Sequence, residues 1–255
     1  MLQFMLTPAA GKRLIGKGLA AHPAIKAALK SGTIVIVAGT TNGYVAEEIL
    51  ASIGQMGNFS RKRFFRGISL PPNYKVTDQG RLADESGFKG DVVIKDGVLL
   101  QNKTIEDMAE GLKEGDIIVK GGNALDLEHK RAAVLIGNPT GGTIFVSLKA
   151  AAGKRVRLIM PIGLEKRVVG DLDDLARRVN APGSKGLRLM PAPGEVFTEI
   201  DAVSLLAGAG AELIAAGGVS GAEGSVLLGI SGTPAAEQKA EALLKGLVGE
   251  TAFGL

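Results

Sequence analysis

The sequence contains no cysteine and no tryptophan, and it has two histidines, His22 and His129. Without cysteine the chain forms no disulfide, offers no thiolate to a metal ion and has no cysteine nucleophile. Two histidines exclude a multi-histidine metal centre and leave few ways to build a Ser-His-Asp triad. These absences fit a reducing compartment. We therefore expect a cytoplasmic protein with no metal site and no cofactor.

Long apolar runs are also missing, since no stretch approaches the roughly 18 residues that a membrane-spanning helix needs. The N-terminal stretch lacks the charged-then-apolar order of a secretion signal. The 255 residues, of which 45% are hydrophobic, suffice for one large domain or two small ones. A net charge of +4 suits anionic metabolites. We expect an anionic small molecule as the partner and no membrane, and a homo-oligomer is left open.

The first informative stretch is residues 33–50, TIVIVAGTTNGYVAEEIL. The β-branched run of residues 33–38 predicts a buried strand, and helical spacing of apolar residues begins at Val45. The turn between them consists of Gly39, Thr40, Thr41 and Asn42. A strand, a small polar turn and a helix N-terminus form a cradle for phosphate or carboxylate, because the first helical N–H groups lack partners. The alternative is that Thr or Asn simply caps the helix.

The second stretch is residues 116–130, DIIVKGGNALDLEHK. A short strand is predicted to end at Lys120, and Gly121, Gly122 and Asn123 then form a tight turn that presents its amides. The charged residues Asp126, Glu128, His129 and Lys130 follow. An amide-rich turn with charged groups beside it is typical of an anion site with acid–base residues. Neither stretch contains a complete P-loop or dinucleotide fingerprint. The alternative is an ordinary turn that leads into a solvated helix.

Strands alternate with helices through the first two thirds of the chain, which predicts an α/β fold. We expect a Rossmann-like, mostly parallel sheet with helices on both faces in residues 1–167, and a C-terminal α+β subdomain in residues 168–255. Residues 39–42, 121–123 and 141–142 all follow predicted strands, so the three turns are expected at one sheet edge. Residues 76–89 are predicted to form a surface loop or hairpin. The glycine-rich residues 217–224 are interpreted as a hairpin loop or as a loop that closes over a site.

The densest basic cluster is residues 60–66, SRKRFFR. Basic residues interleaved with aromatic residues are typical of nucleic-acid binding, but one such cluster is a weak signal. We expect Phe64 and Phe65 to be core anchors and the arginines to be solvated or to reach a phosphate from the side. Nucleic acid is therefore the less favoured partner.

These motifs resemble type A ribose-5-phosphate isomerase and its superfamily, which includes the glucosamine-phosphate deaminases and CoA transferases. Residues 38–41, AGTT, are similar to the family's G-x-G-S-T turn. Residues 120–130, KGGNALDLEHK, are similar to its K-G-G-G-G-A-L-x-x-E-K motif, with one glycine fewer and one residue inserted before the final lysine. Residues 160–165, MPIGLE, are similar to a late strand that ends in proline and glutamate. The resemblance covers roughly residues 33–166.

The resemblance implies an aldose–ketose isomerase that acts on a sugar phosphate through an enediolate. It assigns Glu128 as the base, Lys120 and the turn amides as stabilisers of the oxyanion, and residues 39–42 as the phosphate cradle. Asp96 matches one of two aspartates that act at the sugar end in the family, and the second is missing here. Asp126 and Lys130 are expected to contact the ligand.

Three functional hypotheses follow from the sequence. The first is an enzyme on a phosphorylated small molecule, with CoA transfer through Glu223 as a variant. The second is a non-catalytic module that binds a phosphometabolite or nucleotide on the same fold, which the missing aspartate favours. The third is nucleic-acid binding through residues 60–66 and the basic N-terminal arm, which carries Lys12, Arg13, Lys17, Lys26 and Lys30. Whether the protein is an enzyme stays open at this stage.

Overall fold

The computed structural model of the chain describes residues 1–75, 77 and 90–254. The helices in these residues are, in chain order, α1 (Pro8–Ala21), α2 (Pro23–Lys30), α3 (Thr40–Ser52), α4 (Ile105–Met108), α5 (Gly142–Lys154), α6 (Leu172–Val179), α7 (Glu199–Ala207) and α8 (Pro234–Lys245). The strands are β1 (Leu2–Leu6), β2 (Thr33–Ile36), β3 (Val92–Lys95), β4 (Val98–Leu100), β5 (Ile117–Val119), β6 (Ala124–Asp126), β7 (Arg131–Ile136), β8 (Arg157–Pro161), β9 (Arg188–Ala192), β10 (Glu195–Phe197), β11 (Gly210–Ala216) and β12 (Val226–Ser231). The loop or hairpin predicted for residues 76–89 lies, apart from Thr77, outside the described residues.

The central sheet has six strands in the order β10-β8-β5-β2-β3-β4. Neighbouring strands among β10, β8, β5 and β2 are parallel, whereas β3 and β4 are antiparallel additions beside β2. All residues of β2 and β5 are buried, as expected for strands in the middle of a sheet that is covered on its faces. The α/β class predicted from the sequence is confirmed. The described residues form helices and a mixed six-stranded sheet, and their buried apolar side chains form one main core.

Two small antiparallel sheets flank the central one, with orders β1-β12-β11 and β6-β7-β9. Strands after residue 167 pair with strands before it, since β10 joins β8, β9 joins β7 and β12 joins β1. The boundary predicted at residue 167 therefore does not coincide with a break in strand pairing. The hairpin of β11 and β12 across the glycine-rich loop is confirmed, whereas β1 was not predicted from the sequence.

Helix α1 begins as its sequence predicts, because the Thr7 side chain accepts a hydrogen bond from Ala10 N and Pro8 occupies the first turn. The helix packs between α3 and α7 with two glycines at the contacts. A Cβ added at Gly16 would lie 2.8 Å from Tyr44 O, and one added at Gly18 would lie 2.9 Å from Ala202 Cβ and from the Phe197 ring. Close approach of these elements therefore requires glycine. None of the helices in the described residues combines the length and apolar character that a bilayer crossing would require.

The α1–α7 contact makes a first prediction. Gly18→Ala should lower the free energy of unfolding by about 1–3 kcal/mol, because the added methyl group overpacks a filled contact. Gly153→Ala is the matched control, since Gly153 also lies in a helix and a Cβ there meets nothing within 4 Å. The control should be neutral or stabilising by up to about 1 kcal/mol. Chemical denaturation of both variants measures this, and an equal effect at the two positions would contradict the packing argument.

Candidate functional site

A cleft of about 220 Å³ opens where β2 and β5 end. The turns of residues 39–42, 121–123 and 141–142 all line it. The first two follow β2 and β5 at one edge of the central sheet as expected, whereas the third follows β7 of a small sheet. The physical reason is the parallel pairing of β2, β5 and β8, which brings their carboxyl ends to the same side of the sheet. The small sheet contributes the opposing wall through residues 134–138 of β7 and the loop after it.

Helix α3 enters the cleft with its N-terminus uncapped. Gly39 precedes the helix in extended conformation and offers no side-chain acceptor to the first N–H groups. The first turn consists of Thr40, Thr41 and Asn42, so the residues predicted as a turn are helical here. Helix α5 also starts uncapped at the cleft, after Gly141 with φ +88°. Glycine suits that left-handed conformation. Two helix N-termini therefore direct unpaired amides and positive dipole ends toward one cleft.

Two buried polar atoms of the α3 turn have no partner among the described residues, namely Thr41 Oγ1 and Asn42 Oδ1. Thr41 is 2% exposed and Asn42 is 1% exposed, and both line the cleft. The Asn42 amide nitrogen donates to Val37 O at 2.6 Å and to Val119 O at 3.0 Å, which joins the ends of β2 and β5. Buried polar atoms are normally paired, so a ligand with both acceptor and donor groups would satisfy this pair.

Two lysines lie beside the glycine turn that follows β5. Lys120 Nζ donates to Gly121 O at 3.4 Å, and Lys166 Nζ donates to Gly122 O at 2.9 Å. Neither amine has an ion-pair partner in the part of the chain that the structure describes. Burial, together with the charges of Arg66 and Lys166, lowers the pKa of Lys120 to about 8. Burial likewise lowers the pKa of Lys166 to about 8.

Arg66 is the third cation that lines the cleft. The fully buried Asp91 fixes it, since Asp91 Oδ1 accepts from Arg66 Nη1 at 2.6 Å and from Ala38 N at 2.8 Å. The other oxygen of Asp91 accepts from Ile105 N at 2.7 Å. One buried carboxylate therefore connects the exit of β2, the Arg66 segment and the start of α4. Of the described acidic residues, Glu106 lines the cleft.

Eight of the predicted site residues line this cleft: Gly39, Thr40, Thr41, Asn42, Lys120, Gly121, Gly122 and Asn123. Asn123 also has a structural role, because its side-chain oxygen accepts from Leu135 N at 3.0 Å. Lys166 and Asp91 were not singled out from the sequence. A signal for Lys166 was present, since it follows β8 at the same sheet edge where Lys120 follows β5.

The structure does not bring Glu128 to the cleft. The turn of residues 121–123 leads directly into β6, and three extended residues carry the chain about 10 Å onward. Glu128 then lies exposed in the turn between β6 and β7, where a helix start was expected. The charged segment is a hairpin turn because residues 124–126 pair with residues 131–133.

Asp126 and Lys130 belong to the same hairpin turn and lie away from the cleft-lining residues. Asp126 accepts from His129 N at 3.0 Å and pairs with His129 Nδ1 at 2.9 Å. These contacts lower the pKa of the Asp126 carboxyl and raise that of His129. Lys130 Nζ contacts Asp201 Oδ1 at 2.9 Å. Both residues stabilise the turn and its neighbours.

Asp96 lies at the opposite edge of the sheet. It forms the tight turn between β3 and β4 with φ +49°, and its side chain accepts from Gly32 N at 2.9 Å. Because β3 runs antiparallel to β2, this turn falls at the amino ends of the parallel strands. Asp96 was expected at the site only because of the family resemblance. The antiparallel direction of β3 separates it from the other predicted site residues.

The basic cluster of residues 60–66 is largely engaged within the protein. Phe64 is fully buried, and Phe65 packs edge-on against Phe253 at 6.1 Å. Arg61 contacts Glu47 at 3.0 Å and Glu250 at 3.3 Å. Phe64 is thus a core anchor, as expected, whereas Phe65 is only partly buried and lies outside the core. Arg66 alone among the named arginines lines the cleft in the described residues.

No group of three or more His, Asp or Glu side chains in the described residues is arranged to share a metal ion. Comparisons with protein-family models, with curated proteins and with solved structures find no match to this chain. The resemblance to the isomerase superfamily therefore stays a hypothesis that depends on the motifs quoted above.

A buried charge cluster lies beside Lys166. Glu199 is 1% exposed, and its Oε2 accepts from Leu164 N at 3.0 Å. Glu165, next to it, pairs with Lys12 Nζ at 2.9 Å. Burial, together with the negative charge of Glu165, raises the pKa of Glu199 to about 8. Glu199 therefore binds its proton more tightly than an exposed glutamate does.

The raised pKa of Glu199 gives a pH dependence of stability. A carboxyl that binds its proton more tightly in the folded state stabilises the protein below its unfolded pKa, and this contribution is lost as the pH rises to about 8. Glu199→Gln keeps an acceptor for Leu164 N and should remove a slope of up to about 1.4 kcal/mol per pH unit. Denaturation between about pH 5 and pH 8 measures the slope. Glu241→Gln is the control and should leave the slope unchanged, because the Glu241 side chain is 38% exposed. Equal slopes in the unmodified protein and both variants would contradict the raised pKa of Glu199.

Proposed function

We propose that the cleft binds a phosphorylated small molecule. The observation that carries the proposal is the convergence of two uncapped helix N-termini on a cleft that also contains Lys120, Lys166 and Arg66. Amides at a helix N-terminus bind anions through hydrogen bonds and the helix dipole. Three cationic side chains and one carboxylate, that of Glu106, line the cleft among the described residues. This excess of positive charge gives the cleft a positive potential that suits a dianion.

The remaining lining indicates a small organic ligand. Thr41 Oγ1 is available to donate to a phosphate oxygen, and Asn42 Oδ1 is available to accept from a ligand hydroxyl. Val134, Ile136 and Ile144 form an apolar wall beside these polar groups. The cleft volume of about 220 Å³ lies below the roughly 300–1,000 Å³ of drug-sized sites. A sugar phosphate or a similar metabolite fits this combination better than a dinucleotide.

The proposal includes two further interpretations. The parallel half of the sheet is interpreted as Rossmann-like, and the chain is interpreted as similar to ribose-5-phosphate isomerase. The resemblance suggests a sugar phosphate and assigns residues 39–42 to its phosphate group, and these residues line the cleft. Its assigned base does not fit, because Glu128 lies outside the cleft. The proposal is therefore phosphate recognition, without isomerisation through Glu128. Binding to nucleic acid is not proposed, because Arg61 is paired with Glu47 and Glu250 and the Phe64 ring is fully buried.

Ligand binding should depend on the phosphate group and on the two lysines. Titration calorimetry should detect ribose 5-phosphate but not ribose, and Lys120→Met or Lys166→Met should weaken binding about tenfold or more, as expected for loss of a charge-assisted hydrogen bond. Lys149→Met is the control, because the Lys149 side chain is 68% exposed and lies outside the cleft. Inorganic phosphate is titrated as well, because it tests whether the cleft binds the phosphate group itself when the natural ligand is a different phosphorylated compound. If neither phosphate compound binds, or if the control weakens binding equally, the proposal fails.

The same binding should depend on pH. Because the pKa of Lys120 and of Lys166 is about 8, both amines lose their protons as the pH rises through that value. The affinity for inorganic phosphate should therefore fall between about pH 7 and pH 9, and binding near pH 8 should take up protons. Calorimetry in two buffers that differ in ionisation enthalpy measures the proton uptake. Binding without proton uptake would show that the lysines do not face the anion.

A further inference from the structure

Lys120 is a partly buried lysine whose amine makes few polar contacts. The residue follows β5 directly and lines the cleft beside the uncapped end of α3. Its one hydrogen bond is the contact of 3.4 Å with Gly121 O, which is long for a donor of this type. No carboxylate pairs with it in the described part of the chain. Among the described residues, the partly buried amine is thus not held in an ion pair.

The charged groups around Lys120 favour a neutral amine. Arg66 and Lys166 are cations that line the same cleft. The charge of Asp91 favours the protonated form of Lys120, but Asp91 is already bound to Arg66, Ala38 N and Ile105 N. Glu106 lies on an exposed part of the cleft lining. Desolvation and neighbouring cations are the conditions that make a lysine amine nucleophilic at neutral pH.

Building on the proposed phosphate site, we propose that Lys120 forms an imine with the carbonyl group of a phosphorylated aldehyde or ketone. The neutral Nζ attacks the carbonyl carbon, a C–N bond forms, and the carbonyl oxygen takes a proton to give a carbinolamine. The C–O bond then breaks, and the oxygen leaves as water with both protons of the former amine. One amine and one carbonyl thus give one imine and one water, with no oxidant or reductant.

Lys166 is the less suitable amine because its environment is different. Its Nζ is held by Gly122 O at 2.9 Å, a shorter hydrogen bond than that of Lys120, and the charge of Glu165 favours its protonated form. Lys166 is therefore assigned to hold the phosphate, and Lys120 is assigned as the nucleophile. An imine at Lys120 would make the hydrogen on the adjacent carbon more acidic. The class of reaction that this site supports is proton transfer, or carbon–carbon bond formation or cleavage, next to a carbonyl group.

Reductive trapping tests the proposal with a matched pair of probes, glycolaldehyde phosphate and glycolaldehyde. The full-length protein is incubated at about pH 7.5 with each probe and sodium cyanoborohydride, and labelled lysines are identified by peptide mass spectrometry. A lysine with a pKa near 8 has a roughly hundredfold larger neutral fraction than an ordinary lysine at this pH. Glycolaldehyde phosphate should therefore label Lys120 at least about tenfold faster than Lys149, and inorganic phosphate should slow this labelling.

The variants separate imine formation from phosphate binding. Lys120→Arg keeps a positive charge but offers no nucleophilic amine, so it should lose the fast labelling, and phosphate binding is measured in parallel by calorimetry on the unmodified protein. Lys149→Arg should retain both. Labelling that moves to Lys166, or that is no faster at Lys120 than at Lys149 while phosphate still binds, would overturn the imine and leave the phosphate site standing. Absence of phosphate binding in the unmodified protein would overturn the proposed function itself.

Discussion

The parallel pairing of β2, β5 and β8 is the constraint on which the cleft depends. It places the three strand exits at one edge, and each exit supplies a different component: the start of α3, the glycine turn with Lys120, and the segment that ends in Lys166. Asn42 secures the arrangement, since its amide donates to the last carbonyl groups of two neighbouring strands. Buried carbonyls at strand ends need such donors, so the residue that starts the helix also holds the sheet edge together.

Uneven charge compensation distinguishes this edge from the rest of the protein. Near α1 and α3, arginines and glutamates form a closed network in which Arg13 contacts Glu47, Glu48 and Glu250. At the cleft, by contrast, Lys120 and Lys166 donate to main-chain carbonyls in place of carboxylates. Desolvating a cation without a counter-ion is costly. At the cleft, the two lysines lie next to unpaired helix N–H groups. An anion in the cleft would offset the charge of the lysines and accept hydrogen bonds from these N–H groups.

The C-terminal third of the chain supports the site without lining much of it. Strand β10 extends the central sheet, and β12 pairs with the N-terminal strand β1. Glu250 contacts both Arg13 and Arg61, and Phe253 packs on Phe65, one residue before Arg66. Glu199 of α7 bonds to Leu164 N in the segment that presents Lys166. Residues far along the chain thus fix the segments that carry the cleft cations.

The sequence by itself determined the elements that local patterns encode. β-branched runs predicted β2 and β5, the Thr7-Pro8 pair is typical of the helix start found at α1, and small polar residues after two strands predicted the turns that line the cleft at residues 39–42 and 121–123. It did not determine where Glu128 and Asp96 would lie, because their positions depend on strand direction and not on spacing along the chain. The antiparallel turn of β6 into β7 carries Glu128 away, and the antiparallel β3 places Asp96 at the opposite edge. Lys166, Arg66 and Asp91 join the site through pairings between distant segments, which only the tertiary structure decides.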